Sequence, residues 1–141
     1  MITNVSLVTV YVNDIDESKD FYTEKLGFVL KEDIKLPDFH WCTVYQADHP
    51  ELRLALMKPG PPMDEESAES IRRIMAKGSM HGFGIRVDNC RKTFDELVAK
   101  GVEYIQEPSD RPYGVEAVLR DNSGNWLVLI EEKPYSPEDF A

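Results

Sequence analysis

The feature that most constrains this chain is that it says nearly the same thing twice. Tyr11 to Phe28, YVNDIDESKDFYTEKLGF, is echoed by Arg86 to Val102, RVDNCRKTFDELVAKGV, with one residue of slippage before the glycine. An internal repeat sets the architecture before any other detail does. Each copy follows a β-branched run, opens with helix-capping side chains and stops at a glycine. The sheet of either half is too small to hide its own face. Two such halves are therefore expected to combine around a shared cup, with the helices outside.

Reading along the chain fills in each half. Val5–Val12 has the β-branched and aromatic content of a strand. Asp14 or Asp16 supplies a helix cap, with acidic residues at the positive end of the helix dipole. Tyr22 and Leu26 share a helical face, and Gly27 ends the helix. Strands follow at 28–34, 40–45 and 52–57, separated by turns at Pro37-Asp38 and 48–51. The stretch 59–78 differs: prolines, an acidic start, then Ile71, Ile74 and Met75 at helical spacing before Gly78. It reads as a connector with one short helix. The pattern then returns: a strand at 80–87, a helix started by Asp88 and Asn89 with Phe94, Leu97 and Val98 inward, and Gly101 as its stop. Strands are expected at 102–105, broken by Pro108, then at 115–119 and 126–131. The last two are joined by the turn Asp121-Asn122-Ser123-Gly124. The tail 133–141 reads as loose. The whole is α+β, two βαβββ repeats in one domain: repeat one about 5–58, connector 59–78, repeat two about 79–132.

Composition bounds the function. Hydrophobic residues make up 42% and charged residues 30% of 141, an ordinary globular balance. The formal net charge of −10 repels phosphate backbones and anionic lipid, so neither nucleic acid nor membrane is an expected partner. The longest apolar run, 126–130, is far too short to span a bilayer. The N-terminus has no basic patch or cleavage pattern and reads as a strand, not a signal peptide. Cys42 and Cys90 match no metal or redox spacing. Cys42 reads as a core thiol and Cys90 as a helix-start residue, both reduced, in keeping with a cytoplasmic protein.

The order βαβββ, twice, resembles the vicinal-oxygen-chelate superfamily, which includes glyoxalase I, bleomycin-binding proteins and ring-cleaving dioxygenases. The residues that carry the resemblance are VYVNDIDESKDFYTEKLGF in the first half and GVEAVLRDNSGNWLVLIEE in the second. The latter holds Asp121 to Asn125 where the family has a DPxGN hairpin. The resemblance spans about 5–132. It implies a cup-shaped mixed sheet with outer helices, but a fold shared by so many chemistries does not name one.

In metal-using relatives, His, Gln or Glu side chains on the first strand of each half and on the last strand point into the cup. The resemblance places Leu7, Gly82 and Val128 at those positions, and Arg53 or Leu54 at the fourth. None is an ordinary ligand, so neither metal nor cofactor is expected. His81, one residue out of phase with Gly82, is expected on the outer face unless a β-bulge reverses it. His49 is expected in a turn. His40 either lines the cup or is exposed, and exposure is the expectation.

If the ligand phase is kept, Leu7, Thr9 and Tyr11, then Gly82, Gly84 and Arg86, then Trp126, Val128 and Ile130, all look inward. Thr9, Tyr11, Trp41, Gly82, Gly84, Arg86, Arg111, Tyr113 and Trp126 are the candidate ligand-binding residues; Leu7, Val128 and Ile130 read better as core filling. Gly82 and Gly84 leave room or admit close backbone approach. Arg86 must pair with an acid or meet an anionic ligand, and a glutamate is the expected partner. Trp41 and Trp126 either stack on a planar ligand or pack as core. Arg111 to Gly114 reads as a loop at the cup rim, either a gate or plain turn chemistry.

Two functions fit. One is a metal-free module that sequesters an apolar or aromatic small molecule as a homodimer, as the resemblance to bleomycin-binding proteins implies. The other is a metal-dependent lyase, isomerase or dioxygenase. The residues leave open whether the chain is an enzyme.

Overall fold

The computed structural model describes residues 1–141. The chain divides into two compact units, Met1–Ala76 and Lys77–Ala141, parted inside the expected connector. No helix is long and apolar enough to cross a membrane.

The first unit runs β1 (Leu7–Tyr11), α1 (Ile15–Asp20) and a π-helical turn (Phe21–Lys25). It continues through β2 (Val29–Leu36), β3 (Phe39–Gln46) and β4 (His49–Met57) to α2 (Glu65–Ala76). Its sheet has the order β1-β4-β3-β2, with β1 parallel to β4 and the other neighbours antiparallel. Val10 of β1 and Val12 just beyond it, Cys42 and Val44 of β3 and Leu54 and Leu56 of β4 are buried with Ile15, Phe21 and Tyr22.

The second unit repeats the plan: β5 (Met80–Arg86), α3 (Cys90–Ala99), β6 (Tyr104–Arg111), β7 (Gly114–Arg120) and β8 (Asn125–Glu132), in the order β5-β8-β7-β6. Here Cys90, Phe94 and Leu97 of α3 are buried with Ala117, Leu119, Leu127 and Leu129. The fold is α+β, two βαβββ repeats.

The caps match across the repeat, and the slippage has a structural cause. Asp14 accepts from the Glu17 amide at 2.8 Å and Asn89 from the Lys92 amide at 3.0 Å, so of the two candidate aspartates it is Asp14 that caps α1. From cap to terminating glycine the first copy spans 14 to 27 and the second 89 to 101, one position fewer. The π-helical turn absorbs the extra residue: the Leu26 amide donates to Phe21 five residues back, at 3.3 Å. The widened turn buries two consecutive aromatics, Phe21 and Tyr22, their rings edge to face at 5.5 Å.

Four expectations are corrected. The first strand begins at Leu7, not Val5. Pro108 does not end a strand: it lies inside β6, where the register slips between Gln106 and Ser109 and the ladder asks for no donor from it. His49 opens β4, because the turn before it is only Ala47-Asp48. The tail is structured: Ser136 and Asp139 form a capping box for a 3₁₀ turn at Pro137–Phe140. Its Phe140 stacks on Tyr113 at 6.1 Å, with Tyr135 alongside.

Candidate functional site

In each unit one sheet face packs on the repeat's helix and the other, here the distal face, points away from it. Strand alternation assigns the residues.

On the first distal face Leu7, Thr9 and Tyr11 of β1 sit beside Arg53, Ala55 and Met57 of β4, with Trp41 and Thr43 of β3 beyond. Thr9, Tyr11 and Trp41 therefore do share a face. Glu32 of β2 is its polar centre, accepting from Arg53 Nη1 at 2.8 Å and Thr43 Oγ1 at 3.0 Å. The Trp41 indole beside it, the Thr43 hydroxyl and the Arg53 cation hold the Glu32 carboxyl below its ordinary range. Trp41 also stacks on Phe39, ring centroids 6.2 Å apart.

The second distal face departs from the simple phase reading at one residue. Gly82 is a bulge: β5 pairs His81 with Trp126 and Phe83 with Leu127, leaving Gly82 without a partner. A Cβ at Gly82 would lie 2.5 Å from the Trp126 carbonyl oxygen, so only glycine fits. Gly82 thus leaves the set of face-lining residues, and His81 joins it, its ring 4.5 Å from that of Trp126. His81 on the outer face was the wrong expectation, because one unpaired residue reverses the alternation. Past the bulge, Gly84 and Arg86 lie beside Val128 and Ile130 as expected. A Cβ at Gly84 would meet nothing closer than the Val128 carbonyl at 4.0 Å, so this glycine leaves room. Arg86 does pair with a glutamate, Glu132, at 2.9 Å, but at the surface, its side chain 75% exposed.

β7 adds Glu116, Val118 and Arg120 to the same face, opposite Ile130, Val128 and Trp126. The Arg111–Gly114 segment is a two-residue turn joining β6 to β7, Arg111 pairing with Gly114. The Tyr113 hydroxyl donates to Glu116 at 2.6 Å, and Arg111 Nε lies 3.9 Å from the same carboxylate. That bond and partial burial raise the Tyr113 phenol above its usual range. Sequence reasoning missed Arg120 and Gln106. Arg120 lay in plain alternation with Val118 and was readable; Gln106 sits between two register slips of β6 and was not.

The family's metal positions do not fit a divalent ion. Leu7 and Val128 carry no donor, Leu54 faces the core, Arg53 is a cation held by Glu32, and on β5 the bulge leaves His81 on the face in place of Gly82, as the single donor at these positions. The donor cluster of the chain lies elsewhere, Asp16, Asp33 and His40, on the α1 side of the first sheet. His40 is thus neither distal-face lining nor freely exposed: its Nε2 donates to Asp33 at 2.6 Å. Lys19 donates to the other Asp33 oxygen at 2.8 Å, and Lys35 reaches Asp16 at 3.1 Å. Two ammonium groups already balance these carboxylates, and the network ties α1 to β2 and β3.

This network predicts a pH dependence. The Lys19 and His40 hydrogen bonds hold the Asp33 carboxyl below its ordinary 3.8, and Asp33 in turn holds the Lys19 ammonium above its ordinary 10.5. A lowered acid stabilises the fold above its unfolded value and loses that contribution as pH falls through the folded one. Asp33→Asn is therefore expected to destabilise by roughly 1–2 kcal/mol at pH 7, with the gap to wild type closing below about pH 4. Urea melts at pH 7 and pH 3 check this; a gap as large at pH 3 as at pH 7 contradicts it.

The cysteines are buried and unpaired. Burial pushes the Cys42 thiol up to about 11 and raises that of Cys90, so neither is a ready nucleophile.

Two matching βαβββ units with paired helix caps, and an Asp121–Asn125 hairpin before the last strand, define the class. The chain belongs to the Glyoxalase/Bleomycin resistance protein/Dioxygenase superfamily, whose model matches residues 4–129. Among its relatives is YurT of Bacillus subtilis (strain 168), an uncharacterized protein 30% identical over 129 residues, covering 91% of this chain and 98% of YurT. The crystal structure of UcmS2 is similar at 43% identity and TM-score 0.86, covering 94% of this chain and 100% of that one. TnmS3, an antibiotic binding protein from Streptomyces sp. CB03234, is similar at 28% identity and TM-score 0.74, covering 94% and 98%.

Proposed function

We propose that this chain binds an apolar or aromatic small molecule on its distal sheet faces and sequesters it without metal chemistry. The observation that carries this reading is the makeup of those faces. Trp41 and Tyr11 in the first unit, and Trp126 with His81 in the second, lie opposite the helix-packed core, while Leu7 and Val128 stand at the family's metal positions and His81 offers a lone donor. The likeness to TnmS3, an antibiotic binding protein, supports binding over turnover. Two copies act together as a homodimer in the cytoplasm, where Cys42 and Cys90 stay reduced. Exposed Leu7, Ile34, Leu36 and Phe39 supply apolar surface for pairing.

A second reading, a metal-dependent lyase, isomerase or dioxygenase, draws on one observation: the Gly82 bulge turns His81 onto the distal face. The test is bound-metal analysis of untagged, chelator-free protein, with thermal melts in Ni²⁺, Zn²⁺, Mn²⁺ and Fe²⁺. A ligand of the folded state alone must raise the melting temperature. The expected result is no stoichiometric metal and no shift. A shift that is lost in His81→Ala overturns the metal-free reading in favour of the enzyme. Light scattering after gel filtration checks the dimer.

A further inference from the structure

Six of the seven arginines make an ion pair: Arg53, Arg72, Arg73, Arg86, Arg91 and Arg111 each meet a carboxylate. Arg120 meets none, in a chain with 26 acidic residues and only 16 basic ones. It is not a loose surface side chain. Its guanidinium lies against the bare backbone of Gly78: a Cβ there would fall 2.7 Å from Nε and 3.1 Å from Nη2. The same glycine's carbonyl accepts from the Trp126 indole at 2.6 Å, and Trp126 stands directly opposite Arg120 in the sheet. Arg120 Nε is covered and has no hydrogen-bond partner, and Gln106 Nε2 is in the same condition. Gln106 pairs with Val118, which places it diagonal to Arg120 on the distal face. His81, Trp126, Arg120 and Gln106 thus form one row across four strands: two rings, then a cation whose Nε and an amide whose Nε2 have no acceptor.

Buried donors are normally satisfied, and a guanidinium fork matches a carboxylate. We propose that this row is an acceptor-recognition subsite, taking a planar aromatic molecule that carries a carboxylate. The ring packs on Trp126 and His81, and the carboxylate accepts from Arg120, with Gln106 donating beside it. This rests on the reading that the distal faces bind small molecules, and it specifies the ligand's charge.

The experiment is isothermal titration of wild-type protein at pH 7 with 2-naphthoate and with its neutral counterpart 2-naphthamide, repeated for Arg120→Met and Gln106→Leu. Wild type is expected to prefer the naphthoate by about tenfold or more, the scale of a hydrogen bond to a charged group. Arg120→Met abolishes the preference, bringing naphthoate affinity down to that of naphthamide; Gln106→Leu weakens naphthoate about threefold. Should Arg120→Met fail to fold by thermal melt, Arg120→Gln serves in its place. Equal binding of both compounds, or a preference that survives loss of Arg120, overturns the subsite and leaves the aromatic-binding reading standing. Silence of both compounds overturns the subsite and counts against that reading as well.

Discussion

Gly114→Ala is expected to destabilise the protein by about 3–5 kcal/mol, the largest effect of any single methyl added to this chain. Gly114 opens β7 with φ +143°, a conformation that L side chains rarely adopt. A Cβ there would press into the Glu131 carbonyl of the neighbouring strand, which is backbone and cannot swing aside. Strain and overpacking therefore act together. The damage also reaches the candidate site, because Gly114 closes the turn that carries Arg111 and Tyr113 toward Glu116, and Tyr113 in turn carries the stacked Phe140. Urea denaturation followed by circular dichroism measures the loss. A variant within about 1 kcal/mol of wild type would show that the β6–β7 turn is not held as described.

Gly82→Ala is expected to destabilise by about 2–3 kcal/mol, whereas Gly84→Ala, two residues on, changes stability by less than about 0.5 kcal/mol. The contrast follows from what each new methyl would meet: the Trp126 carbonyl oxygen at 2.5 Å for Gly82, and nothing closer than 4.0 Å for Gly84. Relief at Gly82 requires the bulge to open, which moves His81 away from Trp126. Tryptophan fluorescence is therefore expected to shift in Gly82→Ala and not in Gly84→Ala. Equal behaviour of the two variants would sink the bulge as the device that turns His81 onto the distal face.

These two glycines show where reading the chain succeeded and where it stopped. The repeat, the helix starts at Asp14 or Asp16 and at Asp88-Asn89, the terminators Gly27 and Gly101 and the Asp121 turn were all legible, because each depends on residues within a few positions of one another. The Asp121 carboxylate accepts from the Ser123 and Asn125 amides and from the Asn125 side chain, each at 2.9 Å, a local geometry that local sequence can announce. The face assignments of β1 and β8, and of Gly84 and Arg86 on β5, followed from alternation. The assignment of His81 did not, because a bulge spends one residue and reverses every side chain before it, and a lone glycine gives little warning. Gln106 was hidden the same way by the slips of β6.

The amino-acid sequence by itself determined the two-fold βαβββ plan and the superfamily, since periodicity and caps are short-range properties. Only the tertiary structure decided which charges find partners. Arg86 meets Glu132 across 46 positions, the Cys90 amide meets Glu131 across 41, and Arg120 meets no carboxylate at all. Pairing depends on which strands lie side by side and on where their registers slip, and neither is written in any one segment of the chain.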